Sequence, residues 1–195
     1  MEFTELHYEK PLKIYKQAKE KGYDVKYLSR GVAHFEKEGK HIVSLKGTDP
    51  LNITDLKSDL GILLGKTNKD EQFKERKQEL KHVYKSIPQN EHINLVAHSL
   101  GGSLGTSILS KSKSILQRTN EANFYNTGYT KALHKELKEG LIKEDRQELN
   151  DKITHHIIKD DLISQPLRAG SIGKVVQYDS VSSNPLTNHS LDAFK

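Results

Sequence analysis

HINLVAHSLGGSLG, residues 92–105, is the stretch that decides the fold. Its first six residues are a short, mostly apolar run of the kind that a strand buried on both faces of a parallel sheet presents. The run ends at Ala97-His98-Ser99-Leu100-Gly101, and the small-residue segment LGGSLGTSILSKSKSIL that follows predicts a helix. A strand that enters a helix through so short a joint turns sharply, and Ser99 sits at the turn. Such a turn lifts a serine Oγ above the sheet edge and strains its backbone, so bulky residues two before and two after would collide. Ala97 and Gly101 occupy those places, and Gly102, Ser103 and Gly105 let the helix lie close to the sheet. The free N–H groups at the start of the helix point toward the same spot, which makes the Leu100 amide a candidate donor to a developing oxyanion. A serine that merely caps the helix is the alternative. The agreement of strand, turn, helix and small residues favours a nucleophile.

Working outward, residues 4–21 read as one amphipathic helix stopped by Gly22. Residues 32–37 and 41–46 read as two strands joined by Glu38-Gly39-Lys40, a hairpin signal. Asp49-Pro50 breaks the second strand after Gly47-Thr48. Residues 53–64 carry apolar side chains close to helical spacing, and 69–87 form a charged helix closed by Pro88. Strands are expected at 122–126, 153–158 and 174–178, with a charged helix over 129–150 and an irregular tail. Strands alternating with helices predict a single α/β domain over residues 1–195, with a mostly parallel central sheet flanked by helices and an N-terminal β-hairpin.

A serine nucleophile needs a base, and the base needs an orienting acid. The A-x-S-x-G segment resembles the G-x-S-x-G elbow of α/β-hydrolases, whose triad follows the chain order serine, acid, histidine. Of the ten histidines, only His189 lies beyond the candidate acids near residue 160. The acid is expected after the strand ITHHII, where Asp160 and Asp161 stand together. Asp161 is chosen because Leu162 and Ile163 directly after it would anchor the loop and bury the carboxylate. Asp160 is the fallback, and Asp179 and Asp192 are weaker candidates. His155 and His156 lie inside a strand, one core and one surface, and His98 is expected to pack against the sheet. The second oxyanion donor is placed at Gly47-Thr48, after the early strand, with Thr48 able to offer its amide and hydroxyl and Asp59 helping to fix the loop. No histidine spacing points to a zinc site.

Bulk composition narrows the classes. The chain has 195 residues, 34% of them hydrophobic and 29% charged, with a net charge of +5. There is no cysteine, which rules out thiol chemistry and disulfides. Lysine and glutamate intermix as on solvated helix faces, and only five of the 31 basic residues are arginine, scattered along the chain. Nucleic acid is therefore not an expected partner. The first residues lack a basic region followed by an apolar run, and no apolar stretch approaches the roughly 18–20 residues of a membrane span. A soluble, cytoplasmic protein is expected, and no cofactor or metal is called for.

HIVSLKGT, TDLKSDL, AHSLGGSLG, KDDLIS and NHSLDAF, in this order, resemble the motifs of the class 3 lipase family. HIVSLKGT resembles the family's oxyanion strand, with Lys46 where arginine is usual. TDLKSDL resembles its D-W-x-x-D-L stretch, with Leu56 in place of tryptophan, and AHSLGGSLG its G-H-S-L-G-G elbow, with Ala97 for glycine. FYNTGY departs from the family's segment after the next strand, which helps shape the pocket, and the chain is short for the family. The resemblance implies an α/β-hydrolase fold and a carboxylic ester hydrolase of lipase or esterase type. It assigns Ser99 as nucleophile, Asp161 as acid, His189 as base, and Thr48 and Leu100 as oxyanion donors. The partner would be a lipid or small ester, with possible contact to a membrane surface. Gly61–Gly65 reads as helix core or as a small apolar flap. The alternatives are a hydrolase scaffold kept as a non-catalytic binding module, and a basic lipid-surface binder working through its lysine-rich helices.

Overall fold

A computed structural model describes residues 1–47, 71–128, 143–161 and 171–195, together with Lys135, Leu137, Ile163 and Ser164. Thr48, Asp59, the helix expected over 53–64 and the Gly61–Gly65 segment lie outside the described residues.

Among the described residues, strands β1 (Asp24–Leu28), β2 (Val32–Lys37), β3 (Lys40–Leu45), β4 (Ile93–His98), β5 (Thr119–Tyr125), β6 (Ile153–Ile158) and β7 (Lys174–Tyr178) form one sheet in the order of the chain. β1, β2 and β3 are antiparallel neighbours, and β3 through β7 are parallel. The β2–β3 hairpin closes on Glu38 and Gly39, with φ of 50° and 75°. Positive φ at both turn residues matches the right-handed twist of the flanking strands.

Parallel neighbours need crossovers, and right-handed crossovers between successive strands all fall on one face of the sheet. Helices α3 (Glu71–Ser86), α4 (Leu100–Lys111), α5 (Lys113–Arg118) and α6 (Lys143–Lys152) form that layer. Leu80, Val83, Leu104, Ile108 and Leu149 pack there on Val43, Leu95, Phe124 and Ile153. The opposite face is covered near β1–β4 by α1 (Glu2–Leu6) and α2 (Pro11–Glu20), through Phe3, Leu6, Ile14 and Ala18 against Ala33, Phe35 and Val96.

Several sequence expectations change. The helix expected over 4–21 is two helices, because Pro11 forces the residue before it out of helical geometry, and Lys10 is extended at ψ 145°. β1 was not anticipated: its residues are half-exposed on an edge, so neither a buried run nor a clean alternation marks them. β5 begins at Thr119, ahead of the expected 122, through a polar stretch that carries no apolar pattern. The tail is ordered into helix α7 (Pro185–His189) and a 3₁₀ turn over Leu191–Phe194. An Asn184 side chain accepting from the Leu186 amide, followed by Pro185 in the first helical position, starts that helix.

Candidate active site

β4 ends at His98, and α4 begins at Leu100, so one residue makes the whole turn. That residue, Ser99, has φ 54° and ψ −125°, a region that costs a non-glycine residue about 1–3 kcal/mol. Its backbone is clamped on both sides: the Ser99 amide donates to the Tyr125 carbonyl at 2.9 Å, and its carbonyl accepts from Gly102 at 3.0 Å and Gly128 at 3.2 Å. The small residues are required by backbone contacts. A Cβ on Gly101 would sit 2.4 Å from the Leu45 carbonyl oxygen, and one on Gly47 2.6 Å from that of His98. The end of β3 and the start of α4 therefore meet main chain to main chain.

The structure brings Ser99, His189 and Asp161 together. His189 Nε2 lies 2.9 Å from Ser99 Oγ, and His189 Nδ1 lies 3.0 and 3.1 Å from the two Asp161 oxygens. A carboxylate only accepts, so Nδ1 carries the proton and Nε2 offers its lone pair to the Ser99 hydroxyl. All three side chains are buried. Asp160 takes φ 66° in the turn after β6, and its carboxylate faces outward to accept from Ser180 Oγ. Asp161, next in the chain, is fully buried. It accepts from the Ile163 amide at 3.0 Å, the Ser164 amide at 3.2 Å and the Ser164 hydroxyl at 2.6 Å. Burial raises its pKa, but the His189 hydrogen bond and charge, with the Ser164 and Ile163 donors, outweigh burial and hold the carboxyl below its ordinary value. Asp179 is exposed, and Asp192 pairs with Lys195 at the surface.

His189 is held through its main chain as well. Asn126, buried with φ 43°, donates from Nδ2 to the Asn188 carbonyl at 2.8 Å and accepts the Ile158 amide at 3.0 Å. His98 Nε2 lies 2.8 Å from the carbonyl oxygen of His189 itself. Its Nδ1 lies 3.3 Å from the Tyr8 hydroxyl, which also accepts the Gly47 amide at 3.0 Å. The Lys46 ammonium stands 4.8 Å from the centre of the Tyr8 ring, close enough for a cation–π attraction. Sequence reading missed Asn126, Ser164 and Tyr8, and assigned His98 no more than packing. Asparagine at a strand end tolerates positive φ, which is the one local signal that could have found Asn126. The other contacts span tens of residues and leave no local trace.

Of the oxyanion donors expected, Leu100 opens α4, so its amide has no acceptor within the helix. A Cβ on Gly47 would lie 3.2 Å from that amide nitrogen, which puts the residue before Thr48 alongside it. Thr48 lies outside the described residues. A half-open, mainly apolar cavity of about 160 Å³ adjoins His189, with Tyr8, His98, Leu186 and Leu191 in its walls and Glu5 and Asp192 among its lining carboxylates. His155 is the fully buried member of its pair: Nε2 faces the Ile172 carbonyl at 3.0 Å and Nδ1 faces Thr127 Oγ1 at 3.0 Å. His156 is partly exposed and stacks on Tyr125. Among the described residues, no three histidine or carboxylate side chains converge to hold a metal ion, and no helix is long and apolar enough to cross a membrane.

No protein-family model matches this chain, and no curated protein matches it significantly.

Proposed function

We propose that this chain is a serine hydrolase of the α/β-hydrolase type, a short and divergent relative of the class 3 lipases, which cleaves carboxylic esters. The observation that carries the reading is the unbroken hydrogen-bonded line from Ser99 Oγ through the His189 imidazole to buried Asp161, starting from a serine held at positive φ between strand and helix. As Ser99 Oγ attacks the ester carbonyl carbon, its proton passes to His189 Nε2, and Asp161 stabilises the imidazolium without being protonated itself. The Leu100 amide and the Thr48 position, beside Gly47, would receive the oxyanion. Collapse of the tetrahedral intermediate expels the alcohol, protonated by His189. Water then repeats the sequence to free the acid.

A fluorophosphonate probe tests this directly. It should label the wild-type chain at Ser99, and Ser99→Ala should abolish both labelling and turnover of p-nitrophenyl butyrate. Full turnover by Ser99→Ala would refute the nucleophile assignment.

A lipid or interfacial ester is favoured over a fully soluble one by α2. This helix exposes Leu12 (87%) and Tyr15 (51%), with exposed Lys10 and Lys19 at its ends and Lys13 and Lys16 paired to Glu9 (2.7 Å) and Glu20 (3.9 Å). Apolar side chains set among lysines suit a surface that is both apolar and anionic. Sedimentation of Ser99→Ala with anionic vesicles, weakened by Leu12→Ser, is the matching measurement.

A further inference from the structure

His98 has the smaller part in the elbow on a sequence reading, yet both of its ring nitrogens are engaged by groups of the site. Nε2 faces a carbonyl oxygen, that of His189, so Nε2 must carry the proton. The ring is buried and neutral, so Nδ1 is bare and can only accept. The Tyr8 hydroxyl therefore donates to Nδ1, and its oxygen accepts the Gly47 N–H. With the ring neutral and Nε2 protonated, these are the directions the three contacts take.

The two ends of this line matter. Gly47 closes the segment that leads into Thr48, and its main chain abuts the Leu100 amide. His189 is the final residue of the five-residue helix α7, so its carbonyl is one that no later turn of that helix satisfies. The line thus starts at the place expected to hold the oxyanion and ends on the backbone of the base. The same three side chains also meet ring to ring, His98 lying 5.8 Å from Tyr8 and 5.1 Å from His189 between centroids, where they border the half-open cavity. We propose that Tyr8 and His98 are positioning residues, a relay Gly47 N–H → Tyr8 Oη–H → Nδ1 His98 Nε2–H → O=C His189 that fixes the base in register with the oxyanion donors. Residues from the first helix region thereby enter catalysis although they touch no reacting atom. This inference rests on the serine-hydrolase reading above.

The two amide isosteres of histidine separate the two ends of the relay. A glutamine amide nitrogen reaches the position of Nε2, and an asparagine side chain stops at that of Nδ1. His98→Gln keeps the grip on the His189 carbonyl, and His98→Asn loses it. Displacing a catalytic group by about 1 Å costs up to roughly 10²-fold in rate. For p-nitrophenyl butyrate, His98→Asn should lower kcat about 10–100-fold at unchanged KM. His98→Gln should recover most of that loss, and Tyr8→Phe should show a smaller fall in kcat, again without change in KM. Tyr8→Phe combined with His98→Asn should be no slower than His98→Asn alone, because one line is cut once. Thermal melts of each variant run beside the kinetics, and Tyr8→Phe, which removes a single oxygen, serves where His98→Asn does not fold. If wild type is labelled by the fluorophosphonate but His98→Asn and Tyr8→Phe keep wild-type kcat, or the two losses multiply, the relay is refuted and the hydrolase reading stands. If wild type is neither labelled nor active, the hydrolase reading fails and the relay falls with it.

Discussion

Replacing Asp161 by asparagine changes one atom at the end of the Ser99–His189–Asp161 line, and the structure dictates two separate effects. The first concerns the imidazole. With a carboxylate behind it, His189 keeps its proton on Nδ1 and its lone pair toward Ser99. An amide in the same place can turn its NH₂ toward Nδ1, which moves the ring proton to Nε2 and leaves nothing to accept the Ser99 proton. The equivalent change in a serine protease triad lowers kcat about 10⁴-fold with the geometry intact, and a loss of that order is expected for ester turnover here. The second effect concerns stability. Oδ1 accepts from the Ile163 amide, and Oδ2 from the Ser164 amide and hydroxyl. Whichever oxygen becomes nitrogen, a backbone N–H then faces an N–H in a buried site, at a cost of about 1–3 kcal/mol. Activity should therefore collapse while the fold survives, and kcat measured beside urea unfolding separates the two. Asp160→Asn is the internal control, since that carboxylate lies outside the line and bonds Ser180. If Asp161→Asn kept turnover within tenfold of wild type while Asp160→Asn lost it, the assignment of the acid would be wrong.

Acid should destabilise the protein through its buried histidines at pH values above the one at which Asp161 takes up a proton. His7, His98 and His155 are buried and neutral, their pKa values pushed down to about 4, 3 and 4, chiefly by burial. Between pH 6.5 and 4 the unfolded chain binds protons that the folded one refuses, so stability falls as pH falls, by up to roughly 4 kcal/mol per pH unit for the three together. Asp161 is depressed instead, and its contribution is lost only below its ordinary value of 3.8. The urea midpoint at pH 5 should be far below that at pH 7, and equal midpoints would contradict the buried neutral state. Gly101→Ala drives a methyl group to 2.4 Å from the Leu45 carbonyl, and overpacking should cost about 1–3 kcal/mol on denaturant unfolding. A loss too small to measure would show that β3 and α4 do not meet as described. Asn126→Ala strips partners from the Asn188 carbonyl and the Ile158 amide, for about 2–4 kcal/mol. Asn126→Gly should be milder, because glycine accepts the φ of 43° without strain; equal losses would mean that the backbone contributes nothing.

Much of this was readable from local chemistry. The strands at 153–158, 174–178 and 32–37 fall where apolar content and turn residues place them, and the elbow was visible because a strained turn leaves small residues on both sides of its serine. That Asp161 and not Asp160 turns inward, toward His189, was also legible: the apolar residue two further on is buried and turns its amide back to the carboxylate. What could not be read falls into two kinds. Some elements depend on one residue overruling a longer pattern, as Pro11 divides an otherwise continuous amphipathic helix. Others exist only through distant partners. Tyr8 meets Gly47 across 39 residues and His98 across 90, and the position of a hydroxyl so far away is set by the packing of the whole α1 layer.

The sheet places its strands in the order in which they are translated, and a chain that folds from its first residues onward can add each strand to a finished neighbour. Ser99 would take up its strained conformation once β5 supplies the Tyr125 carbonyl, long before His189 leaves the ribosome. On the serine-hydrolase reading proposed above, the serine waits without its imidazole until the segment Pro185–Phe194 settles over it, and assembly sets the moment at which the hydroxyl is armed.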